Sequence, residues 1–182
     1  MFIKKDLRKI PQIFAEASKA DDEELTELRL SRRPAEFNGS ISALIQPSYA
    51  PSLDKLTSLS LYECQISNLD GVEFFAESCP NLEKMNLGRN PLSSLPDNLG
   101  SIQSLTGIWL DDCEIEGQMP VCLSRLKNLE LLRMSNNRIT GLTGDDVKGW
   151  EEMKVLCLDG NLIPRVPQEM ANLKKLKMLS LR

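Results

Sequence analysis

Six times along this chain of 182 residues a leucine-type residue stands at positions 1, 4 and 6 of a segment, most often with Asn or Cys at position 9. The segments begin at Leu56, Leu82, Leu105, Leu129, Met153 and Leu176, spaced 26, 23, 24, 24 and 23 residues apart. Leu82, Met85, Leu87, Asn90 and Leu92 meet the pattern at every anchor. Repetition at that period means that each segment is one unit that buries its apolar face only by stacking on the next. The product is a solenoid, whose long concave surface suits another macromolecule better than a small molecule.

Within a unit, side chains of an extended strand alternate with period two. Positions 4 and 6 therefore point inward, as Leu59/Leu61, Met85/Leu87, Ile108/Leu110, Leu132/Met134, Leu156/Leu158 and Leu179/Leu181. Position 9 reads Cys64, Asn90, Cys113, Asn137 and Asn161. An Asn there is expected to bond backbone groups of neighbouring coils, which need partners once buried, with Cys as a weaker substitute. Pro96, Pro120, Gly144 and Pro167 recur where the chain leaves the strand, and they turn it toward the convex side.

These segments resemble leucine-rich repeats of the typical or Ras-group kind, found in plant intracellular Ras-group proteins and in SHOC-2-like and Erbin-like scaffolds. Ile115, Gly117, Met119 and Pro120 resemble the plant-type variant instead. The resemblance implies an α/β fold: a right-handed leucine-rich-repeat solenoid, or horseshoe, with a parallel concave β-sheet. It implies no particular partner, because this repeat serves many. The expected organisation is an N-terminal helical cap over 1–24, a degenerate capping repeat and loop over 25–55, and repeats over 56–182 with the last incomplete. In the cap, Ile3, Leu7, Ile10 and Phe14 have helical spacing, and Pro11 is expected to split the helix. The run Asp21 to Glu24 reads as a solvated loop. A strand at the end of the chain without a polar cap is an expected site of association through its edge.

The inventory of reactive groups is thin. The chain has no histidine, which removes Ser-His-Asp and Cys-His catalysis and His-bearing zinc sites. It has neither a phosphate-binding loop nor a dinucleotide fingerprint, and its carboxylate doublets lack the spacing of a calcium loop. No catalytic, cofactor-binding or metal-binding residue is assigned, and the chain is not read as an enzyme. A net charge of −4 gives no field for nucleic acid, and no apolar run is long enough for a membrane. Five cysteines without C-x-x-C spacing fit reduced thiols and a cytoplasmic location.

The concave rows carry the functional expectation. Position 5 runs Ser60, Asn86, Trp109, Arg133, Cys157, Ser180, and position 3 runs Ser58, Lys84, Gly107, Leu131, Val155, Met178. Trp150 falls in the convex core row and reads as structural, whereas Trp109 faces the concave side. Exposed aromatic, Met and Arg groups with a polar rim are the composition of a protein interface. The candidate partner-binding residues are Tyr62, Arg89, Trp109, Asp111, Leu131, Arg133, Val155, Cys157, Asp159 and Met178, with Cys157 expected to be exposed. The expected function is an intracellular protein-interaction module or signalling scaffold. The alternative is the recognition segment of a larger signalling enzyme or receptor (kinase, ubiquitin ligase or nucleotide-binding type), or a regulator of a small GTPase or phosphatase.

Overall fold

The structure, a computed structural model, describes residues 9–17 and 25–182. Among these, nine strands form two parallel sheets. They are β1 (Glu27–Arg29), β2 (Ser58–Ser60), β3 (Lys84–Asn86), β4 (Gly107–Trp109), β5 (Glu116–Gln118), β6 (Leu131–Arg133), β7 (Arg138–Gly141), β8 (Val155–Cys157) and β9 (Met178–Ser180). The main sheet runs β1-β2-β3-β4-β6-β8-β9. Its register places Leu28, Leu59, Met85, Ile108, Leu132, Leu156 and Leu179 side by side. Position 4 is thus one continuous row, and a coil that begins at Leu25 extends it ahead of Leu56. The small sheet pairs β5 with β7, and β5 lies in the segment that resembles the plant-type variant.

Most return segments contain single turns of α-helix, α2 (Pro34–Phe37), α3 (Ala50–Leu53), α4 (Phe74–Ser78), α5 (Val121–Ser124) and α6 (Gly144–Lys148), following the longer α1 (Ile10–Ala17). The coils that begin at Leu82 and Met153 return through 3-10 turns at Asp97–Ser101 and Gln168–Asn172. Pro11 is expected to split a helix whose first part, before Lys9, lies outside the described residues. It sits in the first turn of α1, where its missing N–H has no intrahelical partner to lose. Ile3, Leu7 and the run Asp21 to Glu24 lie outside the described residues. Ile10, Ile13 and Phe14 are buried in the common core, and the Phe14 ring stacks on Tyr49 with centroids 4.0 Å apart.

The position-9 residues hold adjacent coils together. Asn90, buried, donates from Nδ2 to the carbonyls of Leu61 (2.8 Å) and Leu87 (2.7 Å), while its Oδ1 accepts from Cys64 N and Ile66 N, both at 3.0 Å. Asn137 and Asn161 repeat the arrangement, accepting from Ile115 N and Ile139 N. Cys64 and Cys113 only donate, to Leu30 O at 3.0 Å and Leu87 O at 3.5 Å. Where Cys113 offers no amide oxygen, the N–H of Leu92 turns back on its own coil, to Asn90 O at 2.7 Å.

One regularity lies just before those residues. Position 8 is left-handed in six successive coils: Arg32, Glu63, Arg89, Asp112 and Asn136 have φ between 54° and 63°, and Gly160 has φ 67°. This bend takes the chain out of the strand and turns the position-9 side chain inward. Across the described residues the core is continuous, and Trp150 is part of it, its Nε1 donating to Leu123 O at 2.9 Å. Leu179 and Leu181 occupy inward positions yet are 44% and 38% exposed, because no described coil covers them.

Candidate functional site

Strand alternation puts the odd positions of every coil on one broad face, and its chemistry changes along the sheet. From β1 to β3 it presents Glu27, Arg29, Ser58, Ser60, Lys84 and Asn86; from β6 to β9 it presents Leu131, Val155 and Met178 beside Arg133. Trp109 marks the boundary. Its indole lies over Gly107, where a Cβ would be 3.1 Å from both Cη2 and Cζ3. Gly107 is therefore the gap that lets a large ring lie along the sheet. Trp109 is partly buried as a result, not fully proud of the surface.

Arg133 stands beside Trp109 in the same row, with its Nε donating to Asp111 Oδ2 at 2.7 Å. That hydrogen bond is the main reason the guanidinium pKa is raised. The second oxygen of Asp111 accepts from Ser135 N at 2.9 Å. Asp159, two coils further on, also bonds the coil that follows it: its Oδ1 accepts from the Ser180 hydroxyl at 2.7 Å and Arg182 N at 2.8 Å. Those bonds hold its carboxyl below the usual range, with the hydroxyl contributing most. Both aspartates thus stitch coils together as well as bordering the face. Arg89 lies at the rim, its guanidinium 5.7 Å from the Tyr62 centroid and its Nε 3.4 Å from Asp112 Oδ2. Leu131 and Val155 are half-buried, and Met178 is 54% exposed.

Cys157 corrects the expectation. It lies in the concave row but is only 6% exposed, because its short side chain sits between Arg133 and Ser180 on the neighbouring strands. Burial raises its thiol pKa despite the nearby Arg133. All five thiols are free and buried.

The structure also brings together a set that the sequence did not single out. On the β1–β4 side, a cavity of about 490 Å³ is bounded by Arg29, Ser58, Ser60, Tyr62, Lys84 and Trp109. Serines in a repeat look like neutral surface. The depth arises because they are short while Tyr62 and Trp109 stand on either side of them. Among the described residues no group of three or more Cys, Asp or Glu is placed to hold a metal ion, and no helix is long and apolar enough to cross a membrane.

Family models of the leucine-rich repeat match residues 81–102 and 127–182. Among curated proteins the chain is similar to disease resistance protein RPS4B of Arabidopsis thaliana, with 31% identity over 117 residues, covering 64% of this chain and 10% of that protein. It is similarly related to a protein phosphatase PHLPP-like protein of Drosophila melanogaster, 31% identical over 112 residues, covering 58% of this chain and 11% of the relative. The chain thus spans about a tenth of the length of these two relatives. Among solved structures it superposes on internalin C2 of Listeria monocytogenes with a TM-score of 0.69 and 24% identity, over 86% of this chain and 61% of that one. Neither model description singles out the Ras-group kind of repeat; both describe the repeat itself. With a seven-stranded parallel sheet, a recurrent Asn/Cys position and these matches, the chain is a leucine-rich-repeat protein.

Proposed function

We propose that this chain is an intracellular protein-interaction module, with signalling scaffolding as its use, and that it grips a partner protein on the concave face. The observation that carries this reading is the placement of Trp109: a large indole laid on a glycine at the centre of an open sheet, flanked by Arg133 and by Leu131, Val155 and Met178. A folded core has no need of such a group on its open face, whereas aromatic and Arg anchors dominate binding energy at protein interfaces. Tyr62, Arg89, Asp111 and Asp159 form the polar rim. Because the sheet is held coil to coil, binding incurs little ordering cost. Five free thiols support a reducing compartment, hence the cytoplasm.

A lysate pull-down with the wild-type chain beside a folded Trp109→Ala/Arg133→Glu variant tests the reading. Proteins retained by the wild type alone are the expected result; equal retention by both refutes it. A second reading is the recognition segment of a larger signalling enzyme or receptor, such as a kinase, ubiquitin ligase or nucleotide-binding protein, or a GTPase or phosphatase regulator. The small fraction of RPS4B and of the PHLPP-like phosphatase that the chain spans favours it. A transcript whose reading frame continues past Arg182 into a catalytic domain would decide for it.

A further inference from the structure

The two halves of the concave face differ in charge as well as in polarity. Among the described residues bounding the β1–β4 cavity there are two cations, Arg29 and Lys84, and no carboxylate. Arg29 is engaged with Glu27 at 3.0 Å. Lys84 is exposed at the floor of the face and makes no ion pair with any described residue. Around it are the hydroxyls of Ser58 and Ser60 and the amide of Asn86, all able to donate. An uncompensated ammonium in a donor-lined hollow of a chain whose net charge is −4 is a local reversal of the protein's field. Past Trp109 the same row continues as Leu131 and Val155, without a charge at position 3.

We propose that the concave face takes an extended peptide segment lying across the strands, with an anionic side chain in the cavity beside Lys84 and a large apolar side chain over Leu131 and Val155. This rests on the concave face being the binding surface. The spacing follows from the sheet. Lys84 and Val155 are three strands apart in one row. Strands are separated by about 4.8 Å and an extended chain advances about 3.3 Å per residue, so the two anchors are about four residues apart. The Trp109 indole between them supplies an apolar platform for the intervening backbone. Tyr62 closes the cavity on the side of the rim, so the acid enters from the open face.

The probe is a displayed library of short random linear peptides, selected on the immobilised full chain and read by sequencing, with affinities of the enriched peptides measured by titration. The expected result is enrichment of Asp or Glu about four residues from Leu, Met or Phe. Changing that acid to its amide should weaken binding about tenfold, the scale of one lost charge-assisted contact. Lys84→Glu should produce at least the same loss, and a peptide with Lys in place of the acid should restore it. Lys84→Gln, with an unchanged melting curve, serves if the charge reversal disturbs folding. A library that selects no acidic residue, or no binder, overturns the proposal. Binding that ignores Lys84→Glu but falls with Trp109→Ala overturns the anion seat and leaves the concave reading standing. Binding indifferent to both overturns both.

Discussion

Replacing Asn90 by Ala tests whether position 9 holds this solenoid together. The wild-type amide accepts from Cys64 N and Ile66 N and donates to Leu61 O and Leu87 O, all inside the core. Alanine leaves at least the two N–H groups without acceptors, since the cavity left by an amide between two coils is closed to bulk water. A buried donor left unpaired costs about 1–3 kcal/mol, so the pair costs about 4 kcal/mol. Against a total stability of about 5–15 kcal/mol for a domain, that is a large fraction. Cys64→Ala removes one weak thiol donor to Leu30 O and nothing that accepts, so its cost is about 1 kcal/mol. Asn90→Cys, the residue that two other coils use, should fall between them. Urea unfolding followed by far-UV circular dichroism measures all three variants in one titration. If Asn90→Ala costs no more than Cys64→Ala, inter-coil amide bonding is not what fixes the stack, and the reasoning fails.

The remaining predictions concern the two tryptophans, one glycine and the thiols. Trp150→Phe removes the indole donor to Leu123 O, which keeps the backbone N–H of Leu126, and leaves a void in the core, so it should lower stability by about 2 kcal/mol, whereas Trp109→Phe should leave the unfolding midpoint nearly unchanged. Gly107→Ala should lift the Trp109 indole off the sheet, red-shift its emission and weaken partner binding while costing less than about 1 kcal/mol of stability; unshifted emission refutes the packing. Burial pushes the Cys79 and Cys122 thiols up to about 12 and that of Cys113 to about 11. A pKa raised on folding stabilises fully below the unfolded value near 9, and the benefit is lost as pH rises toward the folded value. Urea midpoints should therefore fall between pH 8 and pH 11, less steeply in Cys79→Ala/Cys122→Ala, and native thiols should alkylate slowly at neutral pH.

Much of this was legible because stacking is unforgiving at particular positions. A residue at position 4 or 6 has nowhere to go but the core, and a buried backbone N–H must find an acceptor, so the apolar rows and the Asn90, Asn137 and Asn161 bridges follow from type and spacing alone. Trp109 and Trp150 separate for the same reason. What was not legible depends on relative height. Cys157 shares the concave row with Trp109 and Arg133 but is shorter than the guanidinium beside it, so strand parity gave its direction and not its exposure. The β1–β4 cavity escaped notice because Ser58 and Ser60 are unremarkable singly and become a floor only between Tyr62 and Trp109. The left-handed bend at position 8 was hidden because Arg32, Glu63 and Arg89 are not residues that announce positive φ; only Asp112, Asn136 and Gly160 hint at it.

The same parity separates stability from recognition. Positions 4, 6 and 9 are held by neighbours on both sides, so a change there propagates into two adjacent coils. Positions 3 and 5 touch the stack mainly through the row they share, so their residues can change with little effect on the fold. The charge reversal at Lys84 and the indole at Trp109 both lie in these permissive rows, where folding does not require them. A residue that the fold does not need, placed where only a partner can reach it, is best explained by the partner. Asp111 and Asp159 are the informative exceptions. They border the face and also bond the next coil through Ser135 N and Arg182 N, so replacing either would confound loss of binding with loss of packing. Lys84 has no such second role, which makes it the cleaner position at which to ask what the concave face binds.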